Sequence, residues 1–185
     1  TRSGVAERSA TTNRTAPSGM TNTEARGGAF RVESEQQQAL LKMARESVDY
    51  YLVHGKEKVV RSEDPALNEP GAVFVTLTRN GELRGCIGTL EPQGALYQVV
   101  NRFAVAAAFE DHRFAPVTAA EWKDIHIEIS VLSPMVRAKS ADEIQPKIHG
   151  VVVQRGRRNR GVFLPQVWEH FSRKEDFLGE LCSQK

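Results

Sequence analysis

Asn80-Gly81 sits between two runs of β-branched and apolar residues, Ala72–Thr78 and Leu83–Ile87. An Asn-Gly pair so placed favours a two-residue turn with positive φ at both positions, which commits the flanking runs to an antiparallel hairpin. The turn predicts Thr78 opposite Leu83, Thr76 opposite Gly85 and Val75 opposite Cys86. Alternation then puts Arg84, Cys86 and Gly88 on one face and Leu83, Gly85 and Ile87 on the other. A bulge at either glycine would break that count. The second strand delivers a cysteine flanked by Gly85 and Gly88, and glycines there leave room for close approach to the main chain.

Residues 1–32 carry five arginines against two glutamates and almost no large apolar side chains. Such a stretch buries too little to offset its ordering entropy and reads as a disordered tail. The chain opens at Thr1, with Met20 an internal start candidate. A folded domain is expected over residues 33–185. The net charge of +2 falls on the tail and leaves the remainder near −1, so the domain lacks the electrostatic footprint of a phosphate binder and nucleic acid is disfavoured. No apolar run is long enough to cross a bilayer. Two cysteines, Cys86 and Cys182, do not make a disulfide framework in a chain of this size and read as reduced thiols in a cytoplasmic setting.

Ser34 with Gln37 has capping-box spacing, and Leu40, Leu41, Met43, Ala44, Val48, Tyr51 and Leu52 follow at helical intervals up to Gly55. Glu91-Pro92 reads as the start of a second helix, with Leu96, Val99, Val100, Phe103, Ala104 and Ala107 as its apolar stripe. Thr118 and Glu121 form another capping box. Ile125–Leu132 alternates as a half-buried strand with His126, Glu128 and Ser130 on its polar side. Ser140–Glu143 repeats the capping pattern. A second hairpin is expected around the basic turn Arg155–Arg160, then a helical stretch from Pro165 and a last helix from about Glu175. Hairpins alternating with helices, without a parallel strand–helix–strand rhythm, predict an α+β domain.

Cys86 is the candidate nucleophile, and Arg84 on the same predicted face would favour its thiolate. A positive helix end near Pro92 could add to that. His112, His126, Asp111, Glu91 and Glu128 are the candidate acid–base partners. The ordinary alternative is a small buried cysteine with no chemistry. Asp111 and Arg113 either pair as architecture or orient a ligand. Metal-binding spacings are missing, so neither a metal nor a cofactor is expected. The basic turn reads as a solvated hairpin tip, with a phosphate-bearing partner, and so a nucleic-acid adaptor, as the minor alternative.

Leu83-Arg84-Gly85-Cys86-Ile87-Gly88-Thr89-Leu90 resembles the signature of the AMMECR family, called AmmeMemoRadiSam system protein A in bacteria and archaea. Asp111–Val117, Ile127–Ser133, Gly161–Val167 and Phe177–Cys182 resemble further family motifs in the same order. The likeness spans about residues 33–185. His112 stands where the family often has proline, and the resemblance implies a further segment beyond Lys185. It implies a mostly antiparallel sheet flanked by helices, with a smaller hairpin-containing lobe. It brings no settled activity. It implies protein partners of the Memo type and the radical-SAM type, and an active or binding site at Leu83, Arg84, Gly85, Cys86, Ile87 and Gly88, joined by Asp111 and Arg113. Two readings follow. In one, Cys86 is a catalytic thiol and the glycines open main-chain amides to an oxyanion. In the other, the same corner docks a protein or peptide, and Cys86 only packs. The sequence sets no oligomeric state.

Overall fold

The helix expected from Ser34 is α1 (Ser34–His54). Its capping box is Glu33 with Gln36, one residue upstream of the expected pair. Gly55 ends it in the left-handed conformation, φ 66°, where its N–H donates to the Tyr51 carbonyl at 2.8 Å. The computed structural model describes residues 2–12, 32–155 and 159–183. They fall into two compact units, one of Ser9–Val131 and one of Thr1–Arg8 with Leu132–Lys185.

In the first unit, the loop after α1 contains a short helix that periodicity did not mark, α2 (Pro65–Asn68), capped by Asp64. The predicted hairpin is β2 (Ala72–Arg79) with β3 (Glu82–Gly88), joined by Asn80 at φ 53° and Gly81 at φ 84°. Helix α3 (Leu96–Phe109) follows, then α4 (Ala119–Trp122) and β4 (Ile125–Leu132). The helix expected at Pro92 starts four residues later. Gly94, at φ 146°, breaks the chain direction, and Leu96 N–H donates to the Glu69 carbonyl at 2.9 Å instead of closing a helical turn. Strand order is β3-β2-β4, so no strand flanks the outer edge of β3 among the described residues.

Helix α3 packs against α1 and against both strands of the hairpin. That is why eleven of its fourteen residues are buried, rather than a single stripe. Its alanines, Ala104 and Ala106–Ala108, let it lie close to the sheet. Leu40, Ala44 and Val48 of α1, Val73, Val75 and Leu77 of β2, and Ile125, Ile127 and Ile129 of β4 complete the core. Burial of this size is the main stabilising term for such a unit.

In the second unit, β6 (His149–Arg155) pairs antiparallel with β7 (Asn159–Phe163), the expected second hairpin. On its other side β6 pairs with β1 (Arg2–Thr12), which also takes β5 (Val136–Arg137). Residues 2–12 therefore stand as strand where the composition predicts disorder. Main-chain pairing to a strand edge needs no apolar side chain, so composition does not register it. Residues 13–31 of the expected tail, and the centre of the basic turn at 156–158, lie outside the described residues. Ser140 caps a 3₁₀ turn at Ala141–Glu143, a second turn runs Pro165–His170, and α5 (Lys174–Ser183) closes the chain. The core here is Ile144, Val151, Phe163, Trp168, Phe177 and Leu181, with the Trp168 and Phe177 rings stacked at 3.5 Å. The fold is α+β, and every pairing with a described register is antiparallel. Among the described residues no helix is long and apolar enough to cross a membrane.

Candidate functional site

The hairpin begins as predicted, with Thr78 opposite Leu83. The register then slips by one, so that Leu77 faces Gly85, Thr76 faces Cys86 and Val75 faces Ile87. The extra residue is Arg84, just ahead of the glycine. Thr76 and Thr78 share a face, so their partners Cys86 and Leu83 share it too, against the simple alternation. Gly85 turns to the opposite side, where Leu77 is wholly buried.

Both glycines are occupied by the protein itself. A Cβ on Gly85 would collide with the Ala107 carbonyl oxygen of α3, and one on Gly88 with the Val73 carbonyl and Phe74 of β2. The expectation that they admit a substrate to the main chain is therefore corrected. Close packing of α3 on β3, and of β3 on β2, accounts for them.

Asp111 and Arg113 come up against the outer edge of β3. The loop that carries them leaves the C-terminus of α3 and is tightened by Phe114 N–H donating to the Asp111 carbonyl at 3.0 Å. Asp111 is 8% exposed. Its Oδ2 accepts the Cys86 main-chain N–H at 2.8 Å, and its Oδ1 accepts the Arg113 main-chain N–H at 3.2 Å. The Arg113 guanidinium grips the carboxylate with Nε at 2.9 Å and Nη2 at 2.7 Å. Nη2 also donates to the Cys86 carbonyl at 3.2 Å. The paired reading and the site reading of these two residues thus merge, because together they hold both main-chain groups of the cysteine. Arg113, more than half exposed, holds the Asp111 carboxyl well below the usual carboxylate range.

Arg84 is committed elsewhere. It grips Glu121 of α4 through Nε at 3.0 Å and Nη2 at 2.9 Å. Glu121 also accepts the Thr118 N–H at 2.9 Å, as its capping box requires, and takes Arg79 at 3.4 Å. The Arg84 bond, first, and the cap bonds bring the Glu121 carboxyl down to about 2. The ring of Phe114 lies under both guanidinia, 5.9 Å from Arg84 and 5.5 Å from Arg113. Glu121 and Phe114 were missed as members of this cluster. The capping spacing located Glu121 on α4 but could not show that α4 stands beside β3.

Cys86 is half-buried, with its Sγ 3.3 Å from Thr76 Oγ1. Burial pushes its thiol pKa up, and the Thr76 contact and the Arg113 charge offset this only in part. Arg84, expected to favour the thiolate, spends its charge on Glu121. The positive helix end is also lost, since α3 starts at Leu96. Among the named acid–base candidates, Glu128 and Asp111 both disfavour the thiolate by their charge. His112, His126 and Glu91 are exposed. Ile87 packs on the core, and Leu83, 44% exposed, is the apolar residue the corner shows to solvent. Two cavities are lined by none of these residues. One of about 530 Å³ lies by Lys147, Trp168 and Phe171, and one of about 350 Å³ by Lys58, Gln98 and Arg102. Among the described residues no three His, Cys, Asp or Glu side chains converge as metal ligands.

The family model of AMMECR1 matches residues 41–185. A protein of Methanopyrus kandleri is 36% identical over 162 residues, covering 80% of this chain and 76% of its own. One of Pyrococcus furiosus is 34% identical over 169 residues, covering 83% and 78%. The crystal structure of an uncharacterized protein from Pyrococcus horikoshii superposes with a TM-score of 0.75 at 32% identity, covering 83% of this chain and 81% of that one.

Proposed function

The chain belongs to the AMMECR1 family, and on that premise we propose that the β3 corner is a protein-docking surface rather than a thiol active site. The carrying observation is the state of Cys86: its thiol pKa is raised by burial, and both of its main-chain groups are held by Asp111 and Arg113. A nucleophile needs the thiolate and a base within reach, whereas here burial outweighs the help that Thr76 and Arg113 give the anion, and Asp111 and Arg113 hold the strand. What the corner offers a partner is Leu83, exposed and apolar, with Arg113 exposed beside the clamp and the Phe114 ring under the two guanidinia. Aromatic and arginine side chains are enriched at interfaces, and Phe114 and Arg113 bring both to this corner. The Memo-type and radical-SAM proteins implied by the family resemblance are the first partners to try.

Titration calorimetry of the whole chain against each of these proteins tests the reading. Leu83→Asp should weaken binding about tenfold or more, while Cys86→Ala should stay close to wild type. The reading fails if neither protein binds, or if Cys86→Ala alone abolishes the interaction. In the latter case the thiol reading takes its place.

A further inference from the structure

The outer edge of β3 has no strand beside it among the described residues, yet Cys86 on that edge is not left open. In an antiparallel ladder, a hydrogen-bonded residue gives its N–H to one acceptor and takes a donor on its C=O, both from the residue opposite. At Cys86 the acceptor is Asp111 Oδ2, at 2.8 Å, and the donor is Arg113 Nη2, at 3.2 Å. The two side chains are themselves joined at 2.7 Å. We infer that Asp111 and Arg113 stand in for a neighbouring strand and close the edge of β3 to strand addition.

The need for such a device follows from the sequence. Ala72–Arg79 and Glu82–Gly88 form a hairpin whose outer strand would present a row of unpaired main-chain groups, and such edges recruit other strands. The Arg84 bulge shifts the ladder on one side of Cys86. On the other, Thr89 N–H turns in to the Val73 carbonyl at 2.8 Å. A strand adding along this edge would meet the side-chain clamp at Cys86. The clamp is durable because the carboxylate is buried and takes four hydrogen bonds. The closed edge concerns the main chain, while the docking surface proposed above is made of side chains, so either can fail without the other.

Hydrogen exchange of the whole chain tests this, with a synthetic peptide of residues 82–88 as strand probe. In the wild type the Cys86 amide should exchange at least about a hundredfold more slowly than an exposed amide, and the peptide should not bind. In Asp111→Ala that protection should fall by a similar factor, while Gly85 keeps its own. Asp111→Ala/Arg113→Ala should then bind the peptide. The milder Arg113→Ala should keep the amide protected and free only the carbonyl. A Cys86 amide that exchanges freely in the wild type, or a wild type that binds the peptide as well as the double variant does, overturns the inference. The wild-type measurements stand even where a variant does not fold.

Discussion

The carbonyl oxygen of Ala107 occupies the space that a side chain on Gly85 would need. The obstacle is main chain, so it cannot swing aside. Gly85→Ala should therefore push α3 off β3 and cost about 3 kcal/mol, the upper end for overpacking. Gly179→Ala is the control, since Gly179 is exposed on α5 with open space where its Cβ would go. There alanine should stabilise by about 0.5–1 kcal/mol through helix propensity. Urea unfolding of the two variants should give opposite signs, and equal signs would remove the packing account of Gly85.

Alkylation separates the two cysteines. Cys182 is exposed, whereas Cys86 is half-buried with its pKa raised by burial. At neutral pH Cys86 should label more slowly than Cys182. Its rate should climb only above the pH at which an unfolded cysteine ionises, about 8.5. Mass spectrometry of timed iodoacetamide reactions reads both. Faster labelling at Cys86 would mean an activated thiol and would revive the chemical reading.

The parts of this fold that were legible in the sequence are the local ones. Asn80-Gly81 marks the first hairpin, Gly55 the end of α1, Thr118 with Glu121 the start of α4, and near-regular alternation β4, although Ser130, expected on its polar side, is buried. Each signal acts within a few residues, where turn and cap chemistry decides. The rest depends on what meets across the fold. Glu121 is recognisable as a cap, but its hold on Arg84, 37 residues away, follows from where α4 docks. Gly85 and Gly88 are recognisable as special, yet only the packed strands show that the space belongs to Ala107 and Val73. Pro92 suggested a helix start because proline suits that position, but Gly94 turned the chain first.

Acid should loosen the corner through Glu121. Its folded pKa is about 2, against an ordinary value of 4.5. A carboxylate depressed on folding contributes stability that is full above the unfolded value and fades as pH falls towards the folded one. Thermal stability should therefore drop between about pH 5 and pH 2. Asp111, also depressed, adds to the same limb. Glu121→Gln should flatten that limb and cost about 2 kcal/mol at pH 7, since it leaves Arg84 without its ion partner. A Tm profile of the variant parallel to wild type across this range would show that Glu121 does not carry the dependence.

Arg45 of α1 sets where α4 stands, and so where Glu121 can reach. Its guanidinium lies 4.1 Å from the centre of the Trp122 ring. It also donates to the Trp122 carbonyl at 3.0 Å and the Ile125 carbonyl at 2.6 Å. The Trp122 indole N–H in turn donates to Asp49 of α1 at 2.7 Å. Lysine keeps the charge but has no planar fork to serve two carbonyls while lying over a ring. Arg45→Lys should thus cost about 1–2 kcal/mol, the worth of one lost hydrogen bond and a weakened cation–π contact. Because α4 carries Glu121, the same change should also weaken the coupling between Arg84 and Glu121. A double-mutant cycle on that pair, run once in the wild-type background and once in the Arg45→Lys background, measures this directly. An unchanged coupling energy would mean that α4 is held in place by its core contacts alone.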